Sequence, residues 1–270
     1  MTDLTAFDPN SAGNPNNNIF GLPFTEDEAR LIILPVPWEV TVSFGSGTAR
    51  APEQIMKASL QVDLFDAEAP DAWKEGFFMR ETDRKVLMKS DYLRKEAELY
   101  IDYISQGEDV EKNNFMCKAR REVNEGSHFL NNWVYYQTRD LLNQGKLVCL
   151  LGGDHSTPLG FMKAIAEKHG EFGILQIDAH CDLRKGYEGF EYSHASIMYN
   201  VLQEVPQMTK LLQVGIRDLS EGEFAILKEQ PERISIYFHK DIRCRQFEGE
   251  SFKQIVEEMI SHLPQKIYIS

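Results

Sequence analysis

Short apolar runs recur along the chain at intervals that suit a buried parallel sheet. The first run is Leu31-Ile32-Ile33-Leu34-Pro35-Val36, and Pro37 closes it. Uninterrupted apolar runs of this length are typical of strands that are covered on both faces, as in parallel sheets. We therefore predict buried strands at this run and at the later runs 147–151, 173–177, 211–214, 234–238 and 267–269.

Segments with helical spacing of apolar residues lie between these runs. They cover residues 52–60, 158–169, 194–204, 221–230 and 251–263, and the first has a proline at its start, where a helix tolerates one. An alternation of strand and helix predicts an α/β fold, a three-layer doubly wound domain with a mostly parallel sheet. In such a fold, ligands bind at the carboxyl ends of the strands.

Two stretches depart from this alternation. Residues 1–30 form an N-terminal arm that is rich in Asn, Gly and Pro between Phe7 and Asn18, which predicts a loop. Residues 71–145 carry charged stretches with mostly helical apolar spacing at about 90–104 and 111–143, which predicts a helical elaboration. A chain of 270 residues can bury one sizeable core, so we expect a single domain over residues 1–270.

Composition narrows the possible partners. The chain has 29 basic and 42 acidic residues, a net charge of −13, which disfavours nucleic acid and anionic lipid and favours cations. We find neither a membrane-length apolar run nor a leader pattern, so we expect no membrane partner and a cytoplasmic location. The four cysteines form no CxxC pair, which argues against a zinc knuckle and indicates reduced thiols.

Candidate metal-binding residues follow two neighbouring predicted strands. The run 148–151 leads into Gly152-Gly153-Asp154-His155-Ser156, where two glycines permit a tight turn. The run 174–177 ends in Asp178-Ala179-His180-Cys181-Asp182. If this segment stays extended, alternation places Asp178, His180 and Asp182 on one side and Cys181 on the other. Three side chains that can bind a metal are then expected to converge.

The residue types indicate the kind of ion. Two carboxylates with two imidazoles suit a divalent cation such as Mn²⁺, Ni²⁺, Co²⁺, Zn²⁺ or Fe²⁺ better than Ca²⁺ or Mg²⁺. Cys181 is interpreted as buried packing, and Asp154 as a residue that orients loop backbone or a ligand imidazole. Asp63 and Asp66 are interpreted as surface carboxylates.

These motifs resemble the ureohydrolase superfamily, which includes arginases, agmatinases and formiminoglutamases. The resemblance rests on GGDHS, on DAHxD about two dozen residues later, on Ser193-His194 and on Val214-Gly215-Ile216-Arg217. The segment 47–55, GTARAPEQI, is similar to the G-T-x-x-x-P-x-x-I signature of that superfamily. The match covers roughly residues 30–60 and 145–270, and it is closest to the agmatinase-like branch.

The resemblance implies two divalent metal ions, Mn²⁺ first and Ni²⁺ as an alternative, which activate a hydroxide for attack on a guanidinium or amidine carbon. His155 and Asp182 would hold one ion, His180 the other, and Asp178, which also counts as catalytic, would bridge them. His194 would carry the proton to the leaving amine. The alternative interpretation of His194 is a histidine at a helix start that packs against the site.

The chain departs from the superfamily pattern at one point. In the superfamily, a strand like Lys266-Ile267-Tyr268-Ile269-Ser270 is followed by an Asp-x-Asp motif that supplies two more carboxylates, whereas this sequence ends at Ser270. A later glutamate that meets the substrate guanidinium is absent as well. We therefore expect that the 270 residues are a fragment of a longer chain and that this fragment lacks the C-terminal part of the domain.

The leading function is hydrolysis of a guanidino compound with release of urea, nearest to conversion of agmatine to putrescine. The loop 183–194 resembles agmatinase-like members more than the Asn- and Ser-bearing loop of arginases. Guanidine or small-guanidine hydrolysis and formiminoglutamase activity remain alternatives, as does a non-catalytic binding or assembly protein of the same fold. The expected partners are a small cationic guanidino substrate and further copies of the chain in a trimer or hexamer.

Overall fold

The structure, a computed structural model, describes residue 4 and residues 7–270. The chain divides into two compact units, Met1–Phe161 and Met162–Ser270, which are described in turn. The predicted arm lies partly outside the described residues. Its described part is made of turns, bends, irregular segments and 3-10 turns such as Ile19–Gly21, as its composition predicts. The prediction of a single domain over residues 1–270 stays a prediction.

The first unit contains a three-stranded parallel sheet in the order β2 (Phe77–Met79), β1 (Leu31–Val36) and β3 (Leu147–Gly152). Its central strand is almost entirely buried, as its apolar sequence predicts. Within this sheet, the strand β3 pairs with β1 and with no other described strand, and its residues Leu147 and Cys149 are exposed. The prediction that this strand is buried on both faces is therefore wrong. The elements of this unit are β1 Leu31–Val36, α1 Ala51–Ser59, β2 Phe77–Met79, α2 Arg84–Ser105, α3 Asn114–Asn143 and β3 Leu147–Gly152.

The predicted helical elaboration contains both helices and a strand. The long helices α2 and α3 form where helical spacing was predicted, and Asp83 and Asn113 cap their first turns through side-chain oxygens. The three-residue strand β2 pairs with β1, which the sequence pattern did not predict. A run of only three residues is too short to show a period of two, which explains the miss.

The second unit contains a four-stranded parallel sheet in the order β6 (Ile234–Phe238), β5 (Met208–Ile216), β4 (Phe172–Ile177) and β7 (Ile267–Ile269). The two inner strands bury most of their apolar side chains, whereas β7 pairs only with β4 and is largely exposed, again against the prediction. The helix α4, Leu159–His169, spans the boundary between the units. The remaining elements are β4 Phe172–Ile177, α5 Ile197–Glu204, β5 Met208–Ile216, α6 Glu221–Glu229, β6 Ile234–Phe238, α7 His239–Phe247, α8 Phe252–Ser261 and β7 Ile267–Ile269.

All strand pairings in both units are parallel, with helices between successive strands, so the predicted α/β class and parallel pairing are confirmed. The helix α7 was not predicted. Its sequence is mostly charged or polar, and Ile242 is the one residue of this helix that is buried. The sequence therefore lacks the row of apolar residues at helical spacing from which a helix is predicted. Parallel strands that end at the same edge place the residues after β4 and β5 side by side.

No helix in the described part of the chain is long and apolar enough to cross a membrane.

Candidate metal centre

The segment Asp178-Ala179-His180-Cys181-Asp182 begins where β4 ends. It is hydrogen-bonded to the last residues of β5 and to the chain that follows them. The amide of Asp178 donates to the carbonyl of Val214 at 3.0 Å, and the amide of Arg217 donates to the carbonyl of Ala179 at 2.9 Å. An isolated parallel bridge joins His180 to Asp218. The segment therefore lies at the carboxyl edge of the sheet, where open α/β folds bind their ligands.

The segment does not remain extended to its last residue, so the predicted simple alternation is wrong at Asp182. Asp182 has a φ of 52°, in the left-handed region. Its carbonyl accepts hydrogen bonds from the amides of Met198 at 3.0 Å and Tyr199 at 3.3 Å, in the first turn of α5. Amides in the first turn of a helix have no partner within the helix, and here two of them bind the carbonyl of Asp182 and so fix the turn at this residue. A position of this kind cannot be read from a period of two.

The turn nevertheless brings the two aspartates together. The ligand oxygens of Asp178 and Asp182 lie within 4.8 Å of each other. The Nδ1 atom of His180 lies 3.7 Å from Oδ1 of Asp178. The His180 side chain is 63% exposed and that of Asp178 is 24% exposed, whereas Asp182 is 6% exposed. In chain order, the segment therefore offers a half-buried carboxylate at Asp178, an exposed imidazole at His180 and a buried carboxylate at Asp182.

Two buried glutamines lie beneath this segment, and the sequence interpretation missed both. Gln176 on β4 and Gln213 on β5 are in register and fully buried. Gln213 Nε2 donates to Gln176 Oε1 at 2.6 Å and to the carbonyl of Cys181 at 2.7 Å. Gln176 Nε2 donates at 3.2 Å both to Oδ2 of Asp178 and to the carbonyl of His180. A polar residue inside each apolar run was the available signal, because buried amides need partners.

Cys181 is buried, as predicted for a packing residue. Burial, with the nearby carboxylates of Glu223, Asp182 and Asp178, raises the pKa of the Cys181 thiol to about 12. The thiol therefore stays protonated at neutral pH in the metal-free protein, which makes it a poor nucleophile. All four cysteines are free, in agreement with the expectation of reduced thiols.

His155 lies in the first unit, three residues after the end of β3, and is partly buried. Gly153 has a φ of 68°, and a Cβ atom there would lie 2.5 Å from the carbonyl oxygen of Trp38, so only glycine fits. Asp154 accepts a hydrogen bond from the amide of Ser156 at 2.9 Å, and its own amide donates to the carbonyl of Trp38 at 2.8 Å. The predicted role of Asp154 in orienting loop backbone agrees with these bonds.

Glu39 is a buried carboxylate that binds the backbone of the segment 47–49, and the sequence interpretation missed it. Glu39 accepts hydrogen bonds from the amide of Gly47 at 2.5 Å and from the amide of Ala49 at 3.1 Å. The carbonyl of Thr48 in turn accepts from the amide of Gly153 at 3.3 Å. Glu39 therefore ties the turn before α1 to the loop that carries His155.

His194 begins a 3-10 helix, His194–Ser196, and lies at the end of a chain of contacts in the loop that precedes it. Its ring meets the ring of Tyr187 edge-on at 5.9 Å, and the guanidinium carbon of Arg184 lies 4.8 Å from the centre of the Tyr187 ring. Arg184 Nε is also 3.8 Å from Oε2 of the buried Glu223. Both interpretations of His194, proton carrier and packed residue, fit this placement. Asp63 and Asp66 are exposed, as expected of surface carboxylates.

The comparisons with known proteins agree with this architecture. The chain matches the Arginase family over residues 29–270, and it therefore belongs to that family. It is 30% identical over 205 residues to an N(1)-aminopropylagmatine ureohydrolase of Thermus thermophilus, an overlap of 76% of this chain and 56% of that protein. The chain thus spans little more than half the length of this curated relative.

Two solved structures have the same fold. The agmatine ureohydrolase of Thermoplasma volcanium is 19% identical, with a TM-score of 0.62 over 91% of this chain and 67% of that one. A Trypanosoma cruzi formiminoglutamase with Mn²⁺ is 10% identical, with a TM-score of 0.61 over 93% of this chain and 73% of that one. The arginase fold predicted from the motifs is confirmed.

Proposed function

We propose that this protein is a metal-dependent ureohydrolase that cleaves a C–N bond of a cationic guanidino compound and releases urea, with agmatine or a close derivative as substrate. The observation that carries the proposal is the pairing of the Asp178 and Asp182 carboxylates beside His180 at the end of β4, in a chain of the Arginase family. The name of the Thermus thermophilus relative points to the same substrate class.

The donor set fits divalent cations. Two unit charges no more than 4.8 Å apart repel by about 3 kcal/mol or more at the effective dielectric constant of about 20 found near protein surfaces, and a cation between them reverses the sign. We propose that His155 and Asp182 hold one ion, that His180 holds the other, and that Asp178 contacts both. Within the second unit, the imidazole of His180 with the carboxylates of Asp178 and Asp182 suits Mn²⁺ and also Ni²⁺. When bound, such ions lower the pKa of water and so supply a nucleophile at neutral pH.

The chain's own residues would position and protonate the substrate. The leaving amine needs a proton when the C–N bond breaks, and a histidine can supply one at neutral pH. His194 is the candidate, because its ring is partly buried and oriented by Tyr187 at the end of the loop after Asp182. The carboxylates of the site attract the guanidinium group and exclude anions.

The loop contacts favour an amine-tailed substrate over an amino acid. Recognition of a substrate carboxylate is ordinarily the work of an arginine in fork geometry. Arg184, the arginine of this loop, lies against the Tyr187 ring and beside Glu223. These contacts orient the partly exposed guanidinium toward groups of the protein itself, which favours agmatine-like compounds over arginine and formiminoglutamate.

A substrate panel tests the proposal. The protein, expressed as its gene encodes it, is assayed for urea, formamide and ammonia with agmatine, N(1)-aminopropylagmatine, guanidine, arginine and formiminoglutamate, each with Mn²⁺, with Ni²⁺ and with chelator. We expect metal-dependent urea release that is fastest with one of the two agmatine compounds. Asp182→Asn should abolish the activity, whereas Asp63→Asn, at an exposed carboxylate, should not change it.

Each outcome of the panel has a definite meaning. Fastest turnover of arginine would overturn the argument from Arg184. Fastest turnover of guanidine would retain the hydrolase and replace its substrate. Metal binding without turnover of any compound would refute the enzyme and support a binding or assembly protein of the same fold.

A further inference from the structure

Glu223 is a buried carboxylate that makes more contacts than its local role requires. It is 4% exposed and lies in the first turn of α6. Carboxylates are rarely buried to this degree unless every oxygen is bonded. One oxygen, Oε2, accepts from the amide and the hydroxyl of Ser220, both at 2.8 Å, and completes a capping box. The helix start uses only this oxygen.

The other oxygen of Glu223 reaches a distant peptide group. Oε1 accepts a hydrogen bond from the amide of Leu183 at 3.1 Å, across 40 positions of sequence. A second capping box in the same unit shows what the motif does alone: Gln254, at the start of α8, is exposed and bonds to Ser251. The bond to Leu183 is therefore an addition to ordinary capping.

The bond fixes the peptide unit that follows Asp182. The carbonyl of Asp182 and the amide of Leu183 belong to one planar peptide group. The carbonyl is held by the amides of Met198 and Tyr199, and the amide by Glu223. Because both polar groups are held, the plane cannot rotate, which fixes ψ of Asp182 and φ of Leu183 and so holds the turn in which Asp182 has a left-handed φ of 52°. A single residue in that conformation reverts to a commoner one when its restraints are removed.

Glu223 also restrains the loop that leads to His194. Its Oε2 atom lies 3.8 Å from Nε of Arg184, whose guanidinium lies on the Tyr187 ring, and that ring meets His194. The ion pair offsets the negative charge of the buried carboxylate. One side chain thus restrains both Asp182 and the start of the following loop.

We propose that Glu223 is a positioning residue that sets the direction of the Asp182 carboxylate for metal binding. This inference rests on the proposed function. Groups that orient metal ligands typically change metal affinity by about 10- to 100-fold when they are removed. Glu223 acts through the Asp182–Leu183 peptide group rather than by touching the ion.

Four variants separate this role from helix capping. Glu223→Ala removes one half of the capping box of α6 together with the bond to Leu183, whereas Ser220→Ala removes the other half of the box and keeps that bond. Gln254→Ala removes the matched cap on α8. Glu223→Gln keeps a single acceptor oxygen, which can serve Leu183 only by turning an NH₂ group toward the amide of Ser220, so it should recover part of the function.

The first measurement needs no metal. Hydrogen–deuterium exchange of the Leu183 amide in metal-free protein should be about tenfold faster or more in Glu223→Ala, because a buried hydrogen bond is lost, and unchanged in Gln254→Ala. Thermal unfolding of each variant shows that it is folded. Unchanged exchange of the Leu183 amide in Glu223→Ala would overturn the proposed bond.

The second measurement is calorimetric titration with Mn²⁺. We expect affinity to fall by about 10- to 100-fold in Glu223→Ala, to fall less in Glu223→Gln, and to stay within about threefold in Ser220→Ala and Gln254→Ala. Equal losses in Glu223→Ala and Ser220→Ala would reduce Glu223 to a helix cap. If the parent protein binds neither Mn²⁺ nor Ni²⁺, the proposed metal centre fails and positioning for a metal fails with it. The exchange experiment would then still decide whether Glu223 holds the peptide.

Discussion

Gln176, one of the two buried glutamines beneath residues 178–182, allows a quantitative test of how this proposed metal-binding segment is held. Gln176→Leu keeps the approximate volume and removes the polar atoms. The substitution deletes a bond to the Asp178 carboxylate, a bond to the carbonyl of His180 and the bond accepted from Gln213. Gln213 keeps its bond to the carbonyl of Cys181, so the variant changes one side of the network.

The expected loss of stability follows from these three bonds. A hydrogen bond to a charged group contributes about 1.5–3 kcal/mol, and each neutral one contributes about 1 kcal/mol. The extra apolar surface of leucine returns about 1 kcal/mol. Because Asp178 is 24% exposed and regains water, we discount its bond and expect the free energy of unfolding to fall by about 2–3 kcal/mol. For a chain of 270 residues that unfolds as one unit, this lowers the Tm by about 4–6 °C.

Chemical denaturation of the metal-free protein, followed by circular dichroism, measures the change, and calorimetry gives the Tm. Gln203→Leu is the matched control, since Gln203 is exposed on α5 and its replacement should alter stability by less than about 0.5 kcal/mol. Equal stability of the two variants would refute the reasoning. It would mean that water replaces the lost bonds at no cost and that the glutamine pair does not hold the segment.

Further predictions concern packing and titration. Gly160→Ala should destabilise the protein by about 1–3 kcal/mol, because its Cβ atom would clash with the backbone oxygen of Asn131, whereas Gly222→Ala meets open space in a helix and should stabilise by about 0.4–1 kcal/mol. Denaturant midpoints compare the two, and a loss in both would contradict the prediction. Burial and the hydrogen bond to Glu258 raise the pKa of Tyr237 from 10.0 to about 12, so its contribution to stability is present below pH 10 and is lost as the pH rises toward 12. The difference in unfolding free energy between the parent and Tyr237→Phe should shrink over that window, and a constant difference would show that the pKa is not raised.

Much of the fold is readable from the sequence because the parallel strands are long apolar runs. The six predicted strands all form, and the first coincides with β1, Leu31–Val36. The helix α7 escaped because its residues are almost all polar and exposed, and β2 because it has three residues. Exposure of β3 and β7 could not be read from the sequence, since apolar content does not tell which strand lies at the end of a sheet.

The candidate site was predictable in its residue types and only partly in its geometry. Alternation predicted that Asp178 and Asp182 converge, and their carboxylates do lie close together, but through the turn at Asp182 rather than through extended geometry. The left-handed turn at Asp182 was not predictable, because it depends on amides of α5 that come 16 positions later in the chain, at Met198. Tertiary contacts of this kind override the local preference of the chain for an extended segment.

The restraints on the metal-binding segment come from outside it and act largely on its backbone. Gln213 holds the carbonyl of Cys181, α5 holds the carbonyl of Asp182, and Glu223 holds the amide of Leu183. A segment that presents two like charges within 4.8 Å of each other tends to open, because repulsion favours separation. Backbone restraints oppose this tendency while leaving carboxylate oxygens to face a cation. We therefore expect substitutions at Gln213 and Glu223 to change the Mn²⁺ affinity of the proposed metal centre while Asp178, His180 and Asp182 themselves stay unchanged.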